Sequence, residues 1–305
     1  MKIEYLVRHV LESVLLILLV SVVVFILLHL TPGDPASVML GEHAKPEQIA
    51  ELARSMGLDQ PLYRQYARFL KNAVHGDFGT SIWAQRPALD VVLERLPATL
   101  QLSAGAFVFA VLIGLPIGIV SSARRLSFWD HGSMFLALLA QSMPVFWLGL
   151  MLILLFAVKL QWLPASGMGG IQHLILPSIT LSFILMGLVI RLVRSSMLEV
   201  LSQDYVRTAR AKGLRERVVL LRHALRNALI PPVTVLGMQV GLLLGGAVIT
   251  ETVFAWPGVG MVTVTAIYQR DYPVVQVSVF ILSLIVVVIN SLVDVLYSYL
   301  DPRIR

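Results

Sequence analysis

Long apolar runs constrain this chain more than anything else in its sequence. They read as His9–Leu30, Thr99–Val120, Met134–Val158, Leu174–Ile190, Leu229–Ile249 and Val274–Leu300. A helix needs about 20 predominantly apolar residues to cross roughly 30 Å of hydrocarbon. Helices also satisfy their own backbone hydrogen bonds, so they are the default form for such runs in lipid. Composition supports this reading: 57% of the 305 residues are apolar, 14% are charged, and the mean hydropathy is +0.81. Soluble domains carry roughly a quarter charged residues. A larger soluble core does not explain the shortfall, because its outside would still need polar cover. The expected fold class is an all-α membrane protein of about six transmembrane helices. Six is the favoured count, with a helix pair broken near Pro144 as the alternative reading of the third run.

The first run is longer than the 7–15-residue apolar region of a secretory signal peptide. Thr31-Pro-Gly-Asp-Pro35 follows it in place of a small-x-small cleavage site, so an uncleaved helix is expected. Residues 31–96 are more polar. Pro46 and Glu47 open one short helix that Gly57 closes. A second runs from Pro61 to about Val74, with Leu62, Tyr63, Tyr66, Phe69, Leu70 and Ala73 along one face. That face is expected on the bundle or in the headgroup region. The organisation expected is therefore an N-terminal helix (1–30), an external region (31–96) and a five-helix core (97–305).

Charge sets the orientation. With the N-terminus inside, the cytoplasmic segments hold 15 basic residues: Lys2, Arg8, Arg124, Arg125, Arg303, Arg305 and nine within 191–226. The external segments hold nine, seven of them in 31–96 beside eight acids. Cytoplasmic loops carry the Lys and Arg excess, so both termini are expected in the cytoplasm. The net charge of +6 is read as topology and not as nucleic-acid binding.

Inside the runs, Gly114 and Gly118 flank Pro116, and Gly237, Gly241 and Gly245 repeat every four residues. Such spacing lets a second helix backbone approach, either within the chain or from another subunit. The mid-helix polar groups are mild: Gln141, Ser142, Ser178, Thr180, Ser182 and Asn290. With Pro144 and Pro177 nearby, the first five are candidates to line a translocation path, and equally candidates for helix–helix hydrogen bonds. Ion-coupled carriers concentrate charge or broken helices near the midplane. Here Glu12, His29, Glu251 and Asp294 lie near helix ends, so energy is expected to enter elsewhere. The chain has no His-Glu-x-x-His, Gly-x-Ser-x-Gly or Walker A pattern. It has no cysteine, and its histidines at 9, 29, 43, 75, 131, 173 and 223 are scattered. No catalytic or metal site is expected.

The most informative segment is the basic loop after the fourth run, Ser202-Gln-Asp-Tyr205-Val-Arg207-Thr208-Ala209-Arg210-Ala211-Lys212-Gly213-Leu214, followed by Arg222-His223-Ala-Leu225-Arg226-Asn227. It reads as two short helices, with Ser202 as an N-cap and Gly213 as the left-handed residue closing the first. Ala209 and Ala211 read as small residues that admit a partner surface, ringed by Arg207, Arg210 and Lys212. A loop that merely sets topology needs neither the alanines nor the turn.

This segment resembles the permease subunits of binding-protein-dependent ABC importers, specifically the dipeptide, oligopeptide, glutathione and nickel group. The general signature is Glu-Ala-Ala-x3-Gly-x9-Ile-x-Leu-Pro. With its Gly on Gly213, only Ala209, Gly213 and Leu225 match. Arg207, Thr208, His223 and Arg226 depart from it as this subgroup does, whose members read much like Tyr-x-Arg-Thr-Ala-Arg-Ala-Lys-Gly and His-x-Leu-Arg-Asn-Ala. Pro32-Gly-Asp-Pro35, Gly57-Leu-Asp-Gln-Pro61, Phe254-Ala-Trp-Pro-Gly-Val-Gly260 and Arg270-Asp-Tyr-Pro273 extend the resemblance over the whole chain. It implies a type I ABC importer transmembrane fold in a bacterial inner membrane. It also implies a second homologous permease subunit, two cytoplasmic ATPase subunits that bind ATP and Mg, and an external substrate-binding protein. The loop within 191–228 would then be a coupling helix seated in an ATPase groove, and the chain itself would bind no cofactor. Peptides are the first substrate expectation, with nickel or glutathione as alternatives. Leu160-Gln-Trp-Leu-Pro-Ala165 resembles nickel permeases as much as peptide ones.

Overall fold

The computed structural model describes residues 3–30, 45–57 and 59–300, together with Ser37. The Thr31-Pro-Gly-Asp-Pro35 segment, Lys2, His43, Leu58, Arg303 and Arg305 lie outside the described residues, as do the side chains of Arg8, His9, His29 and Asp294. Among the described residues the secondary structure is helical apart from one β-bridge, Thr80 to Pro87. Helix α1 spans Ile3–Leu30, α2 Pro46–Met56, α3 Leu62–Val74, α4 Ala88–Leu93 and α5 Leu96–Ala123. Next come α6 (Phe128–Ser142) and α7 (Val145–Leu152), which continues as a π-helix over Ile153–Lys159. The 31-residue α8 (Ile171–Leu201) precedes α9 (Asp204–Ala211) and α10 (Glu216–Val218). A second π segment, Val219–Ala224, leads into α11 (Leu225–Ala228). The chain ends with α12 (Ile230–Val253), α13 (Val259–Gln269) and α14 (Tyr272–Leu300).

Four helical spans are long and apolar enough to cross a membrane: Ala88–Ala123 (α4 with α5), Ile171–Leu201, Ile230–Val253 and Tyr272–Val293. The α6–α7 pair makes a fifth, bent by 109° at its break. The bend follows from Pro144, which disfavours helical geometry at the residue before it. Met143 accordingly sits in extended backbone at φ −84°, ψ 129°. The broken-pair alternative is thus the one observed. α1 is 28 residues long, with an apolar stretch over Leu11–Ile26, and corresponds to the first expected run.

The chain clusters into two compact units. One comprises Met1–Thr99 and Pro257–Ser291, which groups the described residues between 45 and 96 with α1 and with α14 from Tyr272 to Ser291. Pro46 opens α2, and Gly57 ends it in the left-handed region at φ +72°. α3 lies on α1 through Phe25, Tyr66 and Phe69, with Ser21 Oγ 2.8 Å from Tyr66 Oη. Ser13 and Ser291 hydroxyls meet at 3.0 Å, joining α1 to α14. A second apolar cluster packs Ala88 and Val92 of α4 against Val259 and Ala266 of α13 and Val274 and Val277 of α14. α4 and α13 were not anticipated as separate helices.

The other unit comprises Leu100–Trp256 and Leu292–Pro302. α8 is its central helix, packed on α6, α7, α11 and α12. Small residues make the closest approaches. A Cβ on Gly118 would stand 2.8 Å from Val193 Cβ and 3.0 Å from the Ile190 carbonyl, and one on Gly187 would stand 2.8 Å from the Ala137 carbonyl. The Gly114/Gly118 pair thus serves packing within the chain, while Gly245 faces open space. Gly118→Leu is expected to cost about 1–3 kcal/mol by overpacking, read as a lower thermal midpoint of the purified protein. An unchanged midpoint would show that α5 and α8 separate without cost.

Phe254 and Trp256 are both about 1% exposed and belong to the same core. Ala255 between them takes a positive φ of 47°, and the turn is tied by Trp256 N–H to the Glu251 carbonyl (2.8 Å) and Gly167 N–H to the Phe254 carbonyl (2.8 Å).

Candidate functional site

α8 does not stop near Ile190. Ile190, Val193 and Met197 are buried on one face, so the helical period carries the chain 11 residues further, to Leu201. Arg191 and Arg194 therefore belong to this helix and not to a loop. The loop proper begins at Ser202, whose hydroxyl bonds back to the Glu199 carbonyl (2.7 Å) and finishes α8. The expected N-cap role of Ser202 is thus incorrect. Gln203 occupies that position, in extended backbone at φ −74°, ψ 149°.

α9 is held by a small core of its own. Val206 and Ala209 are buried against Val219 of the π segment, flanked by Val200 and Leu201. Ala209 therefore faces inward, and its expected role as an opening for a partner surface is corrected to packing beneath the helix. Val206, three residues earlier on the same face, was overlooked. Its buried partner completes the i, i+3 pattern.

The outward face carries Tyr205, Arg207, Thr208, Arg210, Ala211, Lys212, Gly213 and Leu214, all exposed. Gly213 has φ +77°, with nothing within 4 Å of where a Cβ would stand. The left-handed turn read from the sequence is present and open. Arg210 clasps Glu216 across it, with nitrogen–oxygen distances of 2.8 and 3.2 Å. The guanidinium holds the Glu216 carboxyl below its ordinary pKa, so this clasp is intact at neutral pH and is lost only as acid protonates Glu216. Both side chains are largely exposed, which limits the pair to less than about 1 kcal/mol. Asn227 Nδ2 donates to Tyr205 Oη at 2.9 Å, joining α11 to α9. Arg222 and His223 sit in the π segment and Leu225 and Arg226 begin α11, with Arg226 exposed. π segments of this kind occur frequently at functional sites.

Beside the last turns of α8 lies a feature that sequence reasoning missed. Asp130, 3% exposed, accepts from Arg194 Nε (2.6 Å), Arg194 Nη2 (3.0 Å), Ser121 Oγ (2.6 Å) and the Leu126 N–H (2.9 Å). Four donors and a full countercharge satisfy a buried carboxylate. The signal was available: Asp130 is the one acid between Glu94 and Glu199. An acid isolated among apolar runs needs a partner.

The candidate path residues separate. Gln141, Ser142 and Pro144 are exposed at the α6–α7 break. Ser178, Thr180 and Ser182 are buried in α8. Thr180 and Ser182 donate to the Leu176 and Ile179 carbonyls, each at 2.8 Å, and Ser178 lies against Gly105. Thr180 and Ser182 thus bond within their own helix and Ser178 Oγ is buried without a hydrogen-bond partner among the described residues, whereas Gln141, Ser142 and Pro144 are accessible.

Comparison with known proteins accords with this arrangement. The profile described as binding-protein-dependent transport system inner membrane component matches residues 114–305, and its N-terminal companion matches residues 2–103. The chain is 44% identical to the dipeptide transport system permease protein DppB of Alkalihalophilus pseudofirmus, with 99% of each chain covered. It is also 44% identical to the glutathione transport system permease protein GsiC of Escherichia coli K12, again over 99% of each. The di/tripeptide permease DppB of Pseudomonas aeruginosa is 44% identical over 94% of each. Among solved structures, an inward-facing MetNI methionine ABC transporter matches with a TM-score of 0.57 and 19% identity, covering 69% of this chain and 96% of that one. The shared fold is that of a type I ABC importer transmembrane subunit, and the chain belongs to the family of binding-protein-dependent transport system inner membrane components.

Proposed function

We propose that this chain is one of two permease subunits of an ATP-driven importer of short peptides, with substrate handed over by an external binding protein. Two cytoplasmic ATPases that bind ATP and Mg would dock on the outward face of α9. The observation that carries the peptide assignment is 44% identity, over 99% of the chain, to a dipeptide permease. The docking assignment is supported by α9 itself: a short helix fixed from beneath by Val206 and Ala209, with a charged, accessible outer face and an open turn at Gly213. Rigid support below and exposure above suit a helix that transmits force to a partner. Equal identity to a glutathione permease favours glutathione as a second reading, itself a modified tripeptide. Nickel has no comparable support.

The test is uptake by inverted-topology controlled proteoliposomes containing this chain, a second permease, the ATPase pair and the binding protein. Labelled dipeptide is expected to accumulate only with ATP and with every component present. Accumulation by this chain alone, driven by a proton or sodium gradient, would replace the proposal with an ion-coupled carrier. Accumulation of glutathione or nickel without dipeptide would keep the machinery and reassign the cargo.

A further inference from the structure

The Arg270-Asp-Tyr-Pro273 motif has a structural setting that the coupling loop does not explain. Within the unit formed by Met1–Thr99 and Pro257–Ser291, the segment after Gly79 and the α13–α14 junction enclose a pocket of about 210 Å³. Its walls are apolar at Val91, Pro257, Met261 and Val262, and two charged residues of opposite sign line it, Asp271 and Arg95.

Asp271 is 3% exposed. Its Oδ2 accepts from Ser81 Oγ at 2.5 Å and from the Trp83 N–H at 3.4 Å, while its buried Oδ1 has no hydrogen-bond partner among the described residues. A buried carboxylate oxygen without a donor is costly, and native structures keep few of them without a reason. The surrounding loop holds the acid in that position. Ser81 Oγ, donating to Asp271, also accepts from the Ala84 N–H at 2.9 Å. Ser81 N–H bonds the Arg86 carbonyl at 2.9 Å, and Trp83 Nε1 bonds the Gln269 carbonyl at 3.0 Å. Gln85 takes φ +53° to close the turn. Trp83 is left 64% exposed beside the pocket.

We propose that this pocket is a binding site for the zwitterion of a short peptide. The α-ammonium is assigned to Asp271, whose Oδ1 lacks a donor. The carboxylate is assigned to Arg95, and an apolar side chain to the Val91–Met261 wall. A cavity of about 210 Å³ falls below the roughly 300–1,000 Å³ usual for ligand sites, which leaves room for a dipeptide at most and none for a longer chain. The choice of peptide over another zwitterion rests on the transport reading above. The site itself is separate from the coupling loop and from the residues at the α6–α7 break.

The test is calorimetric binding of alanyl-phenylalanine to the assembled permease complex in nanodiscs, without binding protein. The wild type is expected to bind the free dipeptide at least ~10-fold more tightly than its N-acetyl form, since a desolvated ion pair contributes that much or more. Asp271→Asn keeps an oxygen for Ser81 and Trp83, so the loop persists, and it should lose that discrimination. Arg95→Gln is expected to weaken the free dipeptide but not its C-terminal amide. Wild-type affinity in Asp271→Asn, equal affinity for the free and acetylated peptides, or no binding at all would each overturn the proposal. Uptake of the same dipeptide is measured in parallel. Uptake without Asp271-dependent binding removes the pocket and leaves the transport reading. Asp271-dependent binding without uptake does the reverse.

Discussion

Asp130→Ala is expected to cause a large loss of stability for the removal of one small polar side chain. Removing the carboxylate strands Arg194 against a buried surface and leaves Ser121 Oγ and the Leu126 N–H without their acceptor. Breaking one side of a buried pair costs about 3–5 kcal/mol. The Arg194 side chain is 24% exposed, which places the loss toward the lower end. The thermal midpoint should fall by about 6 °C or more. Leu126 sharpens the expectation, because it sits at φ +62° and its N–H bond to Asp130 is part of what holds it there. Asp130→Asn, which keeps an acceptor but not the charge, should fall between. A double variant, Asp130→Ala with Arg194→Leu, should recover part of the loss by removing the stranded charge. Midpoints equal to wild type in Asp130→Ala would mean that the α5–α6 turn and α8 are held together by something else.

Gly213→Val should give the largest loss of transport. The residue's φ of +77° is left-handed, and a β-branched side chain there costs about 1–2 kcal/mol. No neighbour stands in the way, so the penalty falls on the backbone and the turn between α9 and α10 rearranges. A 1.4 kcal/mol shift changes a population tenfold. Peptide uptake should therefore drop by about tenfold while the protein stays in the membrane and ATP hydrolysis by the complex persists. Asn, which tolerates the left-handed region, should retain more transport than Val. Wild-type uptake in Gly213→Val would reject α9 as the docking element.

The apolar runs announced the membrane-spanning helices because lipid imposes a length that sequence records directly. Gly57 and Gly213 were legible for a different reason: each ends a helix in a conformation that glycine favours. Where a helix ended without such a mark, sequence was a poorer guide. Charge at Arg191 suggested the end of α8, yet Val193 and Met197 continued its buried face. Ala209 was read by size alone, and size does not say which way a side chain points. Its inward direction follows from Val206 three residues earlier and from Val219 across the π segment. Asp130 was missed because its partner lies 64 residues away. α13 was not anticipated because its 11 residues, Val259–Gln269, fall between the last two apolar runs and are too few to stand out as a crossing. Nothing local distinguishes a polar group on a path from one bonded to its own helix, and so the sequence left both roles open for Thr180 and Ser182, whose hydroxyls bond carbonyls of their own helix.

The uninterrupted length of α8 has a mechanical consequence. At 1.5 Å per residue, the 11 residues beyond Ile190 form an arm of about 16 Å that is continuous with the buried shaft above it. A tilt of the shaft by about 10° would carry the tip of that arm through about 3 Å. Val200 and Leu201 at the tip pack directly on the α9 cluster, so a displacement of α9 would act on α8 through that contact.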